Sequence, residues 1–293
     1  MHPMKHFVAD DGETIHIEAE GSGPPVVMLH GWTSSHLEWS PFVAELARDH
    51  RVLRWDARGH GGHRLSRTTS PTVQRMAQDL RNLIDHYALD NVAVVGHSMG
   101  ALTLWEYIRT WGTADVARVC LIDQSPKLLT DDDWEWGIYG DFDCTRAERF
   151  AAELEHDFAE AVLRLTAHGL NTRAREKYAE NARGWQRVRE ALRNLHPSPL
   201  IDTWKSLTEA DYREVLEKID VPALLIYGGD SNFYHRGTGQ YVRARIRDAV
   251  LHVYEGTDHS PHQWDRERFV RDLKAFLAGD PAPGTRAAPA IPT

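Results

Sequence analysis

The chain has 293 residues, a formal net charge of −9, 42% hydrophobic residues and 26% charged residues. That length can bury a large core, as one extended domain or a domain with an inserted cap, and the acidic balance argues against nucleic acid or an anionic membrane as the main partner. No apolar run approaches the roughly 18 residues needed to cross a bilayer, the opening Met1-His2-Pro3-Met4-Lys5-His6 has no apolar signal core, and Cys120 and Cys144 read as separate thiols, so the expected compartment is the cytoplasm.

Two short strands are expected at residues 6–9 and 14–19, joined by the hairpin pair Asp11-Gly12. Strands and helices then alternate. An apolar strand at 25–29 ends at His30-Gly31, residues 41–48 have helical spacing, and a strand at 51–55 ends at Asp56. Residues 73–86 form an amphipathic helix with Val73, Met76, Ala77, Leu80, Leu83 and Ile84 on one face. A strand at 91–95 runs into Gly96-His97-Ser98-Met99-Gly100, and helix-like residues 101–111 follow. Further strands are expected at 116–122, 221–227 and 249–254, with a closing helix near 266–277. Consecutive strand–helix units predict an α/β fold with a mostly parallel central sheet and helices on both faces.

Between Gln124 and about Ala210 the alternation stops. Only helical patterns appear there, such as 146–166 and 172–195, in the place of a cap over the carboxyl ends of the strands. The basic stretch at 183–193 reads as a solvated helix face. The expected organisation is a core at 1–126, an inserted helical cap at 127–210, the rest of the core at 211–279, and a disordered tail, rich in proline and alanine, at 280–293.

A serine flanked by glycines between a strand and a helix has the pattern of a nucleophile elbow. The serine must occupy a tight turn that projects its Oγ from the sheet edge. Side chains at Gly96 and Gly100 would collide with the neighbouring strand and helix, and the helix N-terminus offers backbone N–H groups to an oxyanion.

Four landmarks recur in order: His30-Gly31-Trp32, Asp56-Ala57-Arg58-Gly59-His60-Gly61, Gly96-His97-Ser98-Met99-Gly100, and Gly256-Thr257-Asp258-His259 after the last strand. Through them the chain resembles the α/β-hydrolase superfamily over about residues 7–123 and 219–277. The resemblance implies the α/β-hydrolase fold, a serine esterase or lactonase type of chemistry and no cofactor. It implies Ser98 as nucleophile and His259 as its base, because a serine hydroxyl needs an adjacent base at neutral pH. With that base, kcat/KM should rise with pH through a pKa near 7. His262 lies off the motif.

The acid that orients the imidazole is ambiguous. Most members of the superfamily carry it in a Gly-x-x-Asp turn after the seventh strand. Here Gly228-Gly229-Asp230-Ser231 puts Ser231 in that slot and Asp230 one residue early. Haloalkane dehalogenases and zearalenone-type lactone hydrolases place the acid after the sixth strand, where this chain has Asp123, 25 residues beyond Ser98. Asp123 is favoured and Asp230 is the alternative. The resemblance also implies an oxyanion hole from the backbone N–H groups of Trp32 and Met99. His30, Asp56, Arg58 and His60 read as loop-holding residues and Asp258 as outside the triad. His60 and His63 lack the partners of a metal site, so none is expected.

Trp134, Trp136, Tyr139 and Phe142 cluster after Asp131-Asp132-Asp133, and Phe233 and Tyr234 follow the seventh strand. They pack the cap onto the core or line an aromatic pocket for a medium-sized apolar acyl group or lactone ring. The functional expectation is a serine hydrolase cleaving a carboxylic ester or lactone, with a small molecule as its partner. Carbon–carbon bond hydrolases, cofactor-free haloperoxidase-like enzymes and hydroxynitrile lyases share the serine triad. A non-catalytic small-ligand receptor on the same fold is the alternative of a different class.

Overall fold

The apolar runs of the chain become the middle of one sheet. The computed structural model describes residues 5–62, 64–65 and 69–279, so the 280–293 segment, Met1 to Met4 and His63 lie outside the described residues. The strands are β1 (Lys5–Val8), β2 (Thr14–Glu20), β3 (Pro25–Leu29), β4 (Arg51–Trp55), β5 (Val92–His97), β6 (Val116–Ile122), β7 (Ala223–Gly228) and β8 (Ala249–Tyr254), ordered β1-β2-β4-β3-β5-β6-β7-β8. β1 pairs with β2, and β2 with β4, antiparallel; every other neighbouring pair is parallel. Every residue of β5 and β7 is buried, as an inner strand covered on both faces requires. β2, near the edge, instead turns Ile15 and Ile17 inward.

The helices are α1 (Ser40–Leu46), α2 (Val73–His86), α3 (Met99–Trp111), α4 (Cys144–His156), α5 (Phe158–Ala167), α6 (Thr172–Ala179), α7 (Arg183–Arg193), α8 (Pro197–Glu209), α9 (Arg236–Arg245), α10 (Pro261–Trp264) and α11 (Arg266–Ala278). Alternate strand residues feed two cores. Val26, Met28, Val95 and Ile226 pack with Phe42 of α1 and Phe269 and Leu273 of α11. Val27, Leu29, Val94 and Leu225 pack with α2, α3 and Val242 of α9. α2 starts where the Thr72 hydroxyl accepts from the Arg75 amide at 3.2 Å, which caps its first turn. Arg58 clamps Asp79 of α2 through two bonds of 2.6 Å, tying the loop after β4 to that helix.

Between β6 and β7 the chain runs through α4 to α8, and Lys127 bridges Asp211 at the base of this excursion. The two long helices expected here are each broken. Asp157 ends α4 and its side chain accepts from Glu160 N at 3.1 Å to start α5. Asn181, at φ 49°, separates α6 from α7. No helix among the described residues is long and apolar enough to cross a membrane. Cys120 is buried and Cys144 exposed, both free.

Candidate active site

Ser98 stands between the last residue of β5 and the first of α3, at φ 52° and ψ −117°. A non-glycine residue with positive φ is strained and needs a surrounding structure that enforces it. The enforcement is visible. Ser98 N donates to Ile122 O of β6 at 3.1 Å. A Cβ on Gly96 would lie 2.7 Å from Gly100 O, and one on Gly100 would lie 2.2 Å from Leu29 O. Both glycines are therefore imposed by how closely α3 approaches the strands.

Asp123 follows β6 and is fully buried. Its Oδ2 accepts from His259 Nδ1 at 2.6 Å and from Ser231 Oγ at 2.7 Å, while Oδ1 accepts from Gly228 N at 3.0 Å. Asp230 is exposed and is held through its backbone, donating to Thr257 O at 2.9 Å and accepting from Asn171 Nδ2 at 2.7 Å. So the structure brings Asp123, not Asp230, to the imidazole, and the turn residue that reaches inward is Ser231. A carboxylate only accepts, which puts the His259 proton on Nδ1 and leaves the lone pair on Nε2. Burial lowers the His259 pKa below its ordinary 6.5, against the opposing pull of Asp123. That direction moves the expected midpoint of kcat/KM downward from the pKa near 7 read from the sequence.

Ser98 and His259 line one cavity of about 660 Å³, together with Trp32 and Met99. The Met99 amide is the first of α3, where N–H groups have no intrahelical acceptor. Among the described residues the Trp32 amide has no protein acceptor. The Trp32 indole donates to Leu200 O at 2.9 Å and packs on Trp204 at 4.7 Å, joining this loop to α8.

The cavity lining includes the aliphatic side chains of Leu128, Val162, Leu165, Leu192 and Leu207. The basic stretch expected to be a solvated face is α7, and it turns Val188, Ala191 and Leu192 toward this cavity. Leu37 and Val188, 64% and 49% exposed, stand on its lining.

Of the six aromatic residues offered as pocket candidates, Phe233 and Tyr234 line the cavity, the Phe233 ring edge-on to His259 at 4.5 Å. Trp134, Trp136, Tyr139 and Phe142 do not. Trp134 packs edge-on against Tyr241 and donates to Lys127 O. Trp136 lies on Gly237 of α9, where a Cβ would fall 2.0 Å from its ring. Tyr139 stacks behind Phe233 at 6.1 Å and bonds Leu165 O. Aromatics at these positions serve packing because the backbone turns them toward α9 and α5.

The loop-holding residues are tied as follows. His30 Nδ1 donates to Gly31 O at 2.8 Å and its Nε2 accepts from Ala57 N at 3.0 Å. Asp56 takes His16 and His36, and His60 donates to Arg58 O at 3.1 Å. Sequence reasoning passed over Ser231 as a partner of Asp123, and it passed over Glu38 and His97, a buried pair at 2.8 Å. The position of His97 between Gly96 and Ser98 was the one available hint.

A family model described as "Alpha/beta hydrolase family" matches residues 26–273. A non-heme haloperoxidase from Rhodococcus erythropolis is 26% identical, over 94% of this chain and 99% of its own. A pimeloyl-[acyl-carrier protein] methyl ester esterase from Sodalis glossinidius is 30% identical, over 80% of this chain and 86% of its own. Among solved structures, an esterase from Exiguobacterium antarcticum matches with a TM-score of 0.80 at 22% identity, covering 94% of this chain and 99% of that one, which is a likeness of fold.

Proposed function

The chain belongs to the alpha/beta hydrolase family, and on that premise we propose that it is a serine hydrolase cleaving a carboxylic ester or lactone of a medium-sized apolar molecule. The observation that carries this reading is the 2.6 Å contact between His259 Nδ1 and Asp123, on a cavity wall shared with Ser98. In this reading Ser98 is the nucleophile, His259 the base and Asp123 the orienting acid. His259 Nε2 takes the Ser98 proton as Oγ attacks the carbonyl carbon. The carbonyl oxygen becomes an oxyanion held by the Trp32 and Met99 amides, each such donor being worth about 3 kcal/mol in the transition state. His259 then hands the proton to the departing alkoxide as the C–O bond breaks. Water enters by the same route, releasing the carboxylic acid and restoring Ser98.

The cavity volume supports a ligand of moderate size. Its aliphatic lining residues support an apolar acyl group. A small-molecule substrate, the cytoplasmic setting and a core–cap division at 127–210 belong to the same reading. The test is a panel of aryl esters, lactones and thioesters of graded acyl length. Saturable hydrolysis lost in Ser98→Ala supports the proposal, and tight binding without turnover above that variant favours a ligand receptor. The haloperoxidase relative motivates a second reading, a cofactor-free haloperoxidase-like activity. Ser98-dependent bromination with hydrogen peroxide, exceeding ester hydrolysis, would favour it.

A further inference from the structure

On the wall of the Ser98–His259 cavity lies a buried charge cluster for which the mechanism above has no use. Glu38 sits in a 3₁₀ turn, His36–Trp39, with its side chain 8% exposed. Its Oε1 accepts from His97 Nδ1 at 2.8 Å and from His262 Nε2 at 3.2 Å, and its Oε2 accepts from Gly31 N at 3.1 Å. The Glu38 carbonyl accepts from Gln263 Nε2 at 2.6 Å. The other ring nitrogen of His97, Nε2, stands 2.9 Å from His259 O. A carboxylate and a carbonyl both only accept, so each His97 ring nitrogen must carry a proton and the ring is an imidazolium.

We propose that Glu38 is a positioning residue of the active site: its carboxylate holds a protonated His97, and through that ring and the Gly31 amide it sets the spacing of the oxyanion loop, the Ser98 elbow and the His259 loop. The proposal rests on the Ser98–His259 reading given above. Three segments distant in sequence converge on this one side chain. Gly31 is adjacent to Trp32, His97 is adjacent to Ser98, and the His262–Gln263 pair follows His259. The loop also passes directly over the ring, since a Cβ on Gly31 would lie 3.0 Å from His97 Nδ1.

The charges support this arrangement. Burial would raise the Glu38 pKa, yet His97 and His262 hold it well below the usual carboxylate range. Burial would lower His97, yet Glu38 raises it above the ordinary 6.5. His262 is pushed by burial down to about 4 and stays neutral.

A second effect follows at the base. The groups facing His259 are Asp123, His97 and Asp258, with the Phe233 and Tyr234 rings at 4.5 and 5.9 Å. Those facing His97 are Glu38, His262, His259 and Asp123. With ring centroids 4.9 Å apart, a cation at His97 disfavours a second cation at His259 and helps keep the base neutral.

The test is Glu38→Gln in the full chain, which keeps the volume and a hydrogen-bonding group but removes the charge. Ring-nitrogen NMR at pH 7 should show His97 doubly protonated in the wild type and singly protonated in the variant. Ester kcat should fall roughly tenfold to a hundredfold with KM little changed, and the acid limb of kcat/KM should move to higher pH. A role confined to folding would not move that limb. A neutral His97 in the wild type overturns the proposal, and this measurement stands even if the variant does not fold. So does a Glu38→Gln enzyme with unaltered kcat and limb. Ser98→Ala run in parallel keeps the two claims apart: turnover surviving in Ser98→Ala defeats the reading of the site, whereas loss there with normal Glu38→Gln kinetics defeats the positioning role alone.

Discussion

Ser231 Oγ donates to Asp123 Oδ2 at 2.7 Å, from the turn slot where most α/β-hydrolases carry their acid. The carboxylate that reaches His259 comes from the end of β6 instead, and the serine in that slot is one of its hydrogen-bond donors. The buried carboxylate thus has three partners, Ser231, Gly228 N and His259.

Asparagine at each aspartate separates the two candidates. Asp123→Asn should lower kcat by about 10³- to 10⁴-fold, because an amide in that place favours the wrong imidazole tautomer. Asp230→Asn, at an exposed position held by its backbone, should stay within about twofold, as surface changes of this kind are nearly neutral. Steady-state kinetics on one aryl ester reads both.

Ser231→Ala removes one charge-assisted donor from a buried carboxylate and leaves the His259 contact in place. Bonds of this type are worth about 1.5–3 kcal/mol, so urea unfolding should show a loss of that order. Unchanged stability would mean that Gly228 N and His259 suffice to satisfy Asp123.

The acid limb of kcat/KM follows from the burial of His259. As the proposed base His259 works only when neutral, and burial disfavours its charged form, so the neutral form persists to lower pH than in a free histidine. The rate should therefore rise with pH through a midpoint below 6.5 and stay level from there to pH 8. A midpoint at 7 or above contradicts this.

Gly100→Ala would set a Cβ 2.2 Å from Leu29 O, a backbone atom that cannot swing aside. The cost should be about 3 kcal/mol, the upper end for overpacking, with activity reduced as the elbow shifts. Gly184→Ala is the control, since nothing lies within 4 Å of its Cβ position in α7. Alanine there should be neutral or gain up to about 1 kcal/mol of helix propensity. Thermal or urea unfolding of both variants is the measurement.

Where pattern alone governs structure, the sequence was legible. The strands at 51–55, 116–122 and 249–254 and the helix at 73–86 coincide with their apolar runs and stripe. The elbow was legible because two glycines and a serine have few other uses between a strand and a helix. The excursion between β6 and β7 was legible as helical but not in its divisions, since Asp157 and Asn181 break helices through a side-chain bond and a positive φ that periodicity does not record. The choice between Asp123 and Asp230 turned on which residue of a tight turn faces inward, a matter of three dimensions. Trp134 and Trp136 misled because an aromatic count does not say which neighbours a ring packs against. α9 was missed because Gly237 and Gly239 lower its helical signal, and both glycines make room for the Trp136 and Tyr227 rings. Glu38 and His97 are 59 residues apart, so their pairing had no local trace.

The central claim is that Ser98 is acylated with His259 as its base. Intact-mass spectrometry after treatment with a diethyl aryl phosphate tests it most directly. The account predicts a single diethylphosphoryl adduct on the peptide bearing Ser98, absent from Ser98→Ala and slowed by orders of magnitude in His259→Ala. An adduct on another residue, or ester turnover persisting in Ser98→Ala, would contradict it.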